Sequence, residues 1–321
     1  MQAPKVAIIL LNWNGIQDTL ECLASVFAID YPNFDVIVAD NGSRDQQGQR
    51  IKQQYPQITL IENGGNLGFA EGNNVAIRHA LDAGADHVLL LNNDTTIDPA
   101  ALTGFADAIR RFPEAGIYGA KIYYHANPRT LWYAGARWDR RRGGFVHVGM
   151  GEEDDNQSHE QISEQDYITG CALLVARTVI ERIGVMDPRF FVYFEETDWC
   201  HRARRAGFRC LLVPAAKVWH KVSASTGGSA SPVYHYYMSR NLLLFVGRNF
   251  DGLDRAARYL SALLGLFFAH ALARFDPDRP ASLARRLYWD LCNLGAPATR
   301  VKAMGVLDFL LGRFGKATRP L

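Results

Sequence analysis

The sequence predicts an α/β fold: a mostly parallel sheet flanked by helices, followed by a helical C-terminal extension. Three observations carry this. Short apolar runs alternate with helix-period stretches through the first 125 residues, the signature of successive β-α-β units. Polar clusters follow the apolar runs directly, as they do where such a sheet presents its carboxyl edge to ligands. From Tyr237 onward the chain turns helical, including the run YLSALLGLFFAHALARF at 259–275.

Taken in order, the strands are Lys5 to Leu11, Phe34 to Ala39, Ile58 to Glu62, His87 to Leu91 and Ile117 to Tyr123. Between them, Leu20, Leu23 and Phe27 space out one helix face, and Leu102, Phe105, Ile109 and Phe112 another. The second helix has a marked start: Asp98 can accept from first-turn amides, and Pro99 sits where a missing N–H is harmless. After Tyr124 the pattern loosens into hairpin and loop with opposite charge blocks, RWDRRRGGFVHVGMGEEDDNQSHEQISEQD, a solvated surface or a lid. Order returns with CALLVA (171–176), a helix ending near Gly184, a helix from about Thr197 to Gly207 with Trp199, Ala203 and Ala206 inward, and the strand FRCLLVP.

Composition bounds the class. A chain of 321 residues supports one domain plus an appendage, and its make-up excludes disordered, collagenous and multi-span membrane proteins. Five scattered cysteines (Cys22, Cys171, Cys200, Cys210, Cys292) without a C-x-x-C pair point to a reducing, cytoplasmic setting rather than a disulfide framework. The apolar start, MQAPKVAIILLNWNG, lacks a basic n-region and a cleavage site and is read as the first strand. Charge is uneven: from Arg255 to the end there are 11 Lys+Arg against 4 Asp+Glu, +7, which leaves −5 for residues 1–254. A basic amphipathic tail suggests peripheral contact with an anionic membrane at its inner face, the alternatives being a solvated helical face or a dimer contact. The 259–275 run is too short and too interrupted to span a bilayer. The acidic body, with no basic-aromatic groove, argues against nucleic acid.

Four consecutive strand ends carry polar clusters: NWNG (12–15), DNGS (40–43), NGGNLGFAEGNN (63–74) and NND (92–94). Asp40 can accept a hydrogen from a base edge, with Asn41 and Ser43 beside a glycine that admits close approach. The glycine-rich stretch suits phosphate or ribose near a helix start. Neither G-x-G-x-x-G nor the P-loop pattern is present, so dehydrogenase and P-loop readings lose their main support. Asp94 is a hard oxygen ligand suited to Mg²⁺ or Mn²⁺ shared with a diphosphate; a lone Asp at such a turn is more often a cap. Downstream, Glu195, Glu196 and Asp198 lie where the aromatic run FFVYF meets a helix. Acids in a first turn commonly complement the macrodipole, yet carboxylates beside Phe190, Phe191, Tyr193 and Phe194 are partly desolvated, which makes one of them a candidate proton acceptor. His220 in KVWHKV fits an interior histidine or a metal ligand, and spacing does not decide between them.

Together these motifs resemble family 2 glycosyltransferases of the GT-A fold, in particular the bacterial rhamnosyltransferase-like branch. The resemblance covers about residues 5–250 and rests on VAIILLNWNG, VIVADNGSRD, NGGNLGFAEGNN, VLLLNNDT, DYITGCALLVAR, FFVYFEETDWCHRARRAGF and VWH in that order. It implies a Rossmann-like mixed sheet and a transferase that moves a sugar, rhamnose by branch, from a nucleotide-diphosphate donor to a saccharide or lipid-linked acceptor hydroxyl, with inversion. By the same resemblance Asn12, Asp40 and Ser43 contact base and ribose, and Asn66, Gly68 and Asn73 help hold the nucleotide; Asn41 is a donor-site candidate from its place beside Asp40 alone. Asn92, Asn93 and Asp94 stand at the D-x-D element, with Asn92 in place of its first Asp and Asp94 as metal ligand. Glu195 and Glu196 match the E-D pair with Glu for Asp; Glu196 is expected to be the base, Glu195 to shape the acceptor site, and Asp198 is the fallback unless it pairs with Arg202. His220 joins the divalent cation, Mg²⁺ or Mn²⁺. The implied layout is a transferase domain at 1–250, with a nucleotide-sugar half to about 125 and an acceptor half from 126, and a basic helical extension at 251–321. The rival readings are a sugar nucleotidyltransferase, which would normally have a basic glycine-rich loop near the N-terminus, and a non-catalytic membrane-associated saccharide-binding protein of the same fold.

Overall fold

The computed structural model describes residues 3–139, 144–222, 231–268 and 283–321. Two compact units emerge: Met1–Arg137 with His147–Ser225, and Trp138–Val146 with Thr226–Leu321.

The first unit is built on a sheet whose central part follows the expected strands to within a residue at either end. β1 (Val6–Asn12), β2 (Phe34–Asp40), β3 (Thr59–Glu62) and β4 (His87–Leu91) are parallel, with β2 and β4 on opposite sides of β1. All five residues of β4 are buried, as expected for a strand covered on both faces, and that is why it reads as an unbroken apolar run. The strand order turns at β1, and Asn12, Asp40 and Asn92 lie at or just beyond the carboxyl ends of β1, β2 and β4, the edge at which open α/β sheets bind ligands.

The helices between these strands are α1 (Ile16–Val26), α2 (Gln47–Gln54) and α3 (Gly68–Asp82). The buried face of α1 is Thr19, Cys22, Leu23 and Val26; Leu20 and Phe27 lie half-buried at its margin, with Phe27 stacked on Tyr55 at 5.4 Å. After β4 comes a short strand, β5 (Thr95–Ile97), then α4 (Ala101–Arg111). The expected cap is displaced: Asp98 accepts from the Ala100 amide at 2.8 Å in a turn, and the helix starts at Ala101. Leu102 and Phe105 are buried with Ala101, Ala106 and Ala108, whereas Ile109 and Phe112 are half-buried.

The sheet continues through β6 (Gly116–Tyr124), β7 (Leu131–Tyr133), the two-residue β10 (Ser163–Glu164), β11 (Ala172–Ala176) and β12 (Arg209–His220). β8 (Ala136–Asp139) and β9 (Gly144–His147) pair in a separate two-stranded sheet within the stretch where the pattern loosens. The order is β10-β12-β6-β11-β4-β1-β2-β3, with β11 antiparallel between β6 and β4. β12 is twelve residues long; its register against β6 shifts between Val213 and Lys217, and its end pairs antiparallel with β5, His220 opposite Thr95. α5 (Arg177–Ile183) ends at Gly184, and α6 (Glu195–Arg205) starts two residues earlier than expected, which puts Glu195 and Glu196 in its first turn. Trp199 and Ala203 are buried as expected, but Ala206 is exposed because the helix has already ended there.

The second unit is helical: α7 (Pro232–Asn249), α8 (Gly252–Phe267), α9 (Leu283–Asn293) and α10 (Pro297–Leu310). α7 therefore groups with the C-terminal helices. Ser231 caps it, accepting from the Tyr234 amide at 3.1 Å. Arg240 is buried; it donates to the Gly315 carbonyl at 2.7 Å and lies over the rings of Tyr236 and Tyr237. Asp308 of α10 accepts from the Tyr236 hydroxyl at 2.7 Å. Residues 269–275 of the amphipathic run lie outside the described residues; among those described, no helix is long and apolar enough to cross a membrane.

Candidate active site

At the carboxyl ends of β1 and β2, Asn12 is fully buried, and its amide group is spent within the protein. Its Nδ2 donates to Asp40 at 2.8 Å and Ser43 at 3.0 Å, and its Oδ1 accepts from Thr19 at 2.9 Å. Asp40 is also held by the Ser43 amide at 2.8 Å. Asn12 therefore orients Asp40 and Ser43, an arrangement in which each of its buried polar atoms has a partner.

Asn41 works in the same way one strand over. Its Nδ2 donates to Asn66 at 3.2 Å and to the Gly68 carbonyl at 3.1 Å, while its Oδ1 accepts from Asn63 and from the Leu67 amide. Asn66 Oδ1 in turn accepts from the Gly68 amide at 2.9 Å, and Asn73, buried, donates to the Phe69 carbonyl. The loop 63–68 is thus pinned from below. From the other side, the Phe191 carbonyl accepts from the amides of Phe69 at 2.6 Å and Ala70 at 3.2 Å. Gly68 makes this approach possible: φ is +80°, and a Cβ there would stand 2.4 Å from the Phe191 carbonyl oxygen.

Asp94 and His220 meet because β5 pairs with the end of β12. The Lys221 amide donates to the Asp94 carbonyl at 3.0 Å, and His220 Nε2 lies 3.1 Å from Asp94 Oδ1 with both side chains buried. Burial pulls the imidazole pKa down, but the neighbouring Cys171 and the Asp94 carboxylate more than reverse this and raise it to about 10. The ring of Trp132 stands edge-on to His220 at 4.8 Å. Asn93 is turned away, donating to Thr19 at 2.9 Å and tying β4 to α1. Asn92 is half-buried; its backbone is fixed by the Cys171 carbonyl at 2.9 Å, and its side-chain amide makes no hydrogen bond among the described residues.

Glu195 and Glu196 open α6 after three non-glycine residues with positive φ: Phe191 at 66°, Tyr193 at 69° and Phe194 at 72°. Such backbone costs about 1–2 kcal/mol per residue, and it turns the chain sharply enough to set two carboxylates on one helix start. Glu195 is buried, and burial followed by the charge of Glu196 pushes its carboxyl well above the usual range. Burial also raises Glu196, partly offset by amides of Glu196, Thr197 and Gly170. Each keeps one buried oxygen, Oε2, without a hydrogen-bond partner. Asp198 is engaged differently: Arg202 Nε donates to it at 2.8 Å while the same guanidinium binds the carbonyls of Ile183 and Val185, so this acid docks α6 onto the end of α5. The segment 169–171 joins the two groups, with the Gly170 backbone against Glu196 and the Cys171 carbonyl on the Asn92 amide.

The model of the family Glycosyl transferase family 2 matches residues 7–184, more than half of the chain. The chain belongs to glycosyltransferase family 2. It is 32% identical over 225 residues to an N-acetylglucosaminyl-diphospho-decaprenol L-rhamnosyltransferase of Mycobacterium tuberculosis, covering 64% of this chain and 72% of that protein. It is 24% identical over 261 residues to the rhamnosyltransferase WbbL of Escherichia coli, covering 77% and 97%. These relatives put it on the rhamnosyltransferase-like branch. Among solved structures, the mannosyltransferase PcManGT of Pyrobaculum calidifontis, in complex with GDP-Man and Mn²⁺, superposes with TM-score 0.58 at 18% identity, covering 98% of this chain and 89% of that one, a likeness of fold.

For a glycosyltransferase of this fold a divalent cation is implied, and Asp94 Oδ1 and His220 Nε2 are the atoms that would hold it. Their 3.1 Å separation is that of an imidazole–carboxylate hydrogen bond, so a cation bound there would take the place of the Nε2 proton. Among the described residues no group of three or more His, Cys, Asp or Glu could hold a metal ion. Sequence reasoning missed Trp132, Gly170, Cys171 and the Phe191 carbonyl. Of these Gly170, Cys171 and Phe191 lay in quoted motifs, but backbone groups and aromatic edges leave no signal in residue type.

Proposed function

We propose that the protein is an inverting, metal-dependent transferase that moves rhamnose from dTDP-rhamnose to a hydroxyl of a saccharide or lipid-linked acceptor in cell-surface polysaccharide synthesis. What carries this reading is the pair of buried, partly unpartnered carboxylates at the start of α6, one short segment away from the strand end that bears Asn92 and Asp94. The names of relatives support the donor and acceptor class: one acts on a diphospho-decaprenol saccharide, and another is a dTDP-rhamnosyl transferase of Shigella flexneri.

The chemistry follows from the placement of charge. Asp40 and Ser43, oriented by Asn12, receive base and ribose, and the loop bearing Asn66, Gly68 and Asn73, with Asn41 beneath it, holds the nucleotide against α3. Asn92, with its side-chain amide uncommitted, contacts the donor's sugar or ribose. Asp94 and His220 would hold the cation, and the chemistry it would supply there is to offset the charge gained by the departing nucleoside diphosphate. Glu196, its pKa lifted toward the working pH, takes the acceptor's proton as that oxygen attacks the anomeric carbon from the face opposite the leaving group. A single displacement inverts the centre without a covalent intermediate. Glu195, protonated more readily than an ordinary carboxyl, shapes the acceptor side, and Asp198 stands by as a structural anion. Donor binding is assigned to about residues 1–125 and acceptor binding to 126–250, on the cytoplasmic side of the membrane.

A thermal-shift screen of UDP-, dTDP- and GDP-sugars with Mg²⁺ or Mn²⁺ tests the donor. A ligand at a hundred times its Kd stabilises the native state by about 2.7 kcal/mol, so dTDP-rhamnose should raise Tm visibly and only with the cation. A shift from another nucleotide sugar and none from dTDP-rhamnose overturns the donor assignment.

A further inference from the structure

We propose that the helical unit docks in the plane of an anionic lipid surface through the outward leucine faces of α8 and α10. The inference names the surface on which the transferase reading has its acceptor presented, and its readout is independent of donor chemistry.

The two helices already use their other faces. Tyr259 of α8 meets Phe309 of α10 with ring centroids 5.8 Å apart, and Lys302 of α10 donates to the Leu266 carbonyl of α8 at 3.1 Å. At 100° per residue, Leu253, Leu260 and Leu264 fall within about 40° of one another, on the side of α8 away from Tyr259 and Ala262. On α10, Leu307 and Leu310, with Leu311 at its C-cap, span about 100° on the side away from Gly305 and Phe309. All six are exposed, Leu253 to 90% and Leu310 to 72%. A soluble helix ordinarily turns such a stripe inward and its charges outward. Here the charged residue Asp308 is the buried one, and the leucines face out.

Charge selects the occupant. Within 255–321 the two acids among the described residues, Asp290 and Asp308, are both buried at 3% exposure, whereas Arg300, Arg313 and Lys316 are exposed, Arg313 lying 3.6 Å from Asp308. Asp251 and Asp254 at the start of α8 are exposed, and Asp254 pairs with Arg258 at 3.0 Å. A leucine stripe with Arg300 at one end and Arg313 and Lys316 at the other is the form of a helix lying at a headgroup boundary, with each basic side chain attracted to anionic lipid. Two copies joined through this face would instead bring like charges together.

The test uses the full chain and vesicles of phosphatidylcholine, with or without one-third phosphatidylglycerol, in a sedimentation assay. Wild type should sediment with the anionic vesicles, be released by high salt and leave the neutral vesicles bare. Leu307→Glu with Leu310→Glu should lower the bound fraction at least tenfold while circular dichroism, Tm and the nucleotide-sugar thermal shift stay as in wild type. If that double variant fails to fold, Leu253→Glu, at a position with no packing to lose, is held to the same expectation. The proposal is overturned if wild type ignores anionic vesicles, if folded variants bind as well as wild type, or if light scattering shows a dimer that the variants dissociate. Loss of the donor response with vesicle binding intact would instead refute the transferase reading alone.

Discussion

Gly68→Ala should damage catalysis more than stability alone explains. At φ +80° an alanine pays about 1–2 kcal/mol for left-handed backbone. Its Cβ would also stand 2.4 Å from the Phe191 carbonyl oxygen, whereas an ordinary C···O contact is about 3.3 Å. The neighbour is backbone, so the 191–194 turn must retreat by about 0.9 Å, at an overpacking cost of about 1–3 kcal/mol. The total, about 2–5 kcal/mol, corresponds to a Tm drop of about 4–20 °C for a domain of this size. The same turn leads directly into Glu195 and Glu196, and misplacing a reacting group by about 1 Å can cost about a hundredfold in rate. Gly64→Ala is the control: φ is +71° but no atom lies within 4 Å of its Cβ, so it carries the backbone cost without displacing the carboxylates. Turnover of nucleotide sugar, measured well below each variant's Tm, should fall about a hundredfold for Gly68→Ala and stay within a few-fold of wild type for Gly64→Ala. Equal turnover in the two variants would refute the claim that the Gly68–Phe191 contact positions the base.

Asp94→Ala should abolish the Mn²⁺-dependent part of nucleotide-sugar binding while leaving a weaker, cation-independent part, as calorimetry with and without Mn²⁺ can resolve; identical isotherms for variant and wild type would count against Asp94 as ligand. Glu195→Gln tests the raised carboxyl through linkage. Burial and Glu196 favour its protonated form in the native state, so its stabilising contribution is full below the ordinary carboxylate pKa and is lost as pH rises through the raised one. The neutral variant should therefore match wild type in acid and gain Tm relative to it as pH rises toward 8, and a pH-independent difference would contradict the shift.

Much of the fold was legible because β1, β4 and the Val36–Asp40 part of β2 are almost wholly buried and read as apolar runs that stop at polar residues. The site's outline was legible for the same reason, since four consecutive strand ends carry amides and carboxylates. The division of labour among those residues was not. Asn12, Asn41 and Asn93 look like ligand contacts by type, yet their amides close hydrogen bonds to residues 22 to 74 positions away, which residue type does not encode. The start of α6 was misplaced by two residues because three aromatic or bulky side chains adopt positive φ, a conformation sequence propensity disfavours. The meeting of Asp94 with His220 depends on the register shift between Val213 and Lys217 that brings the end of β12 onto β5, a tertiary event with no local signature.

The measurement that bears most directly on the whole account is transfer by Glu196→Gln with dTDP-rhamnose and a saccharide acceptor, followed by NMR of the product formed by wild type. The account predicts an unchanged donor thermal shift, turnover lower by about a hundredfold or more, and a wild-type product whose anomeric configuration is opposite to the donor's. Near-normal turnover in the variant, or a product that retains the donor's configuration, would contradict it.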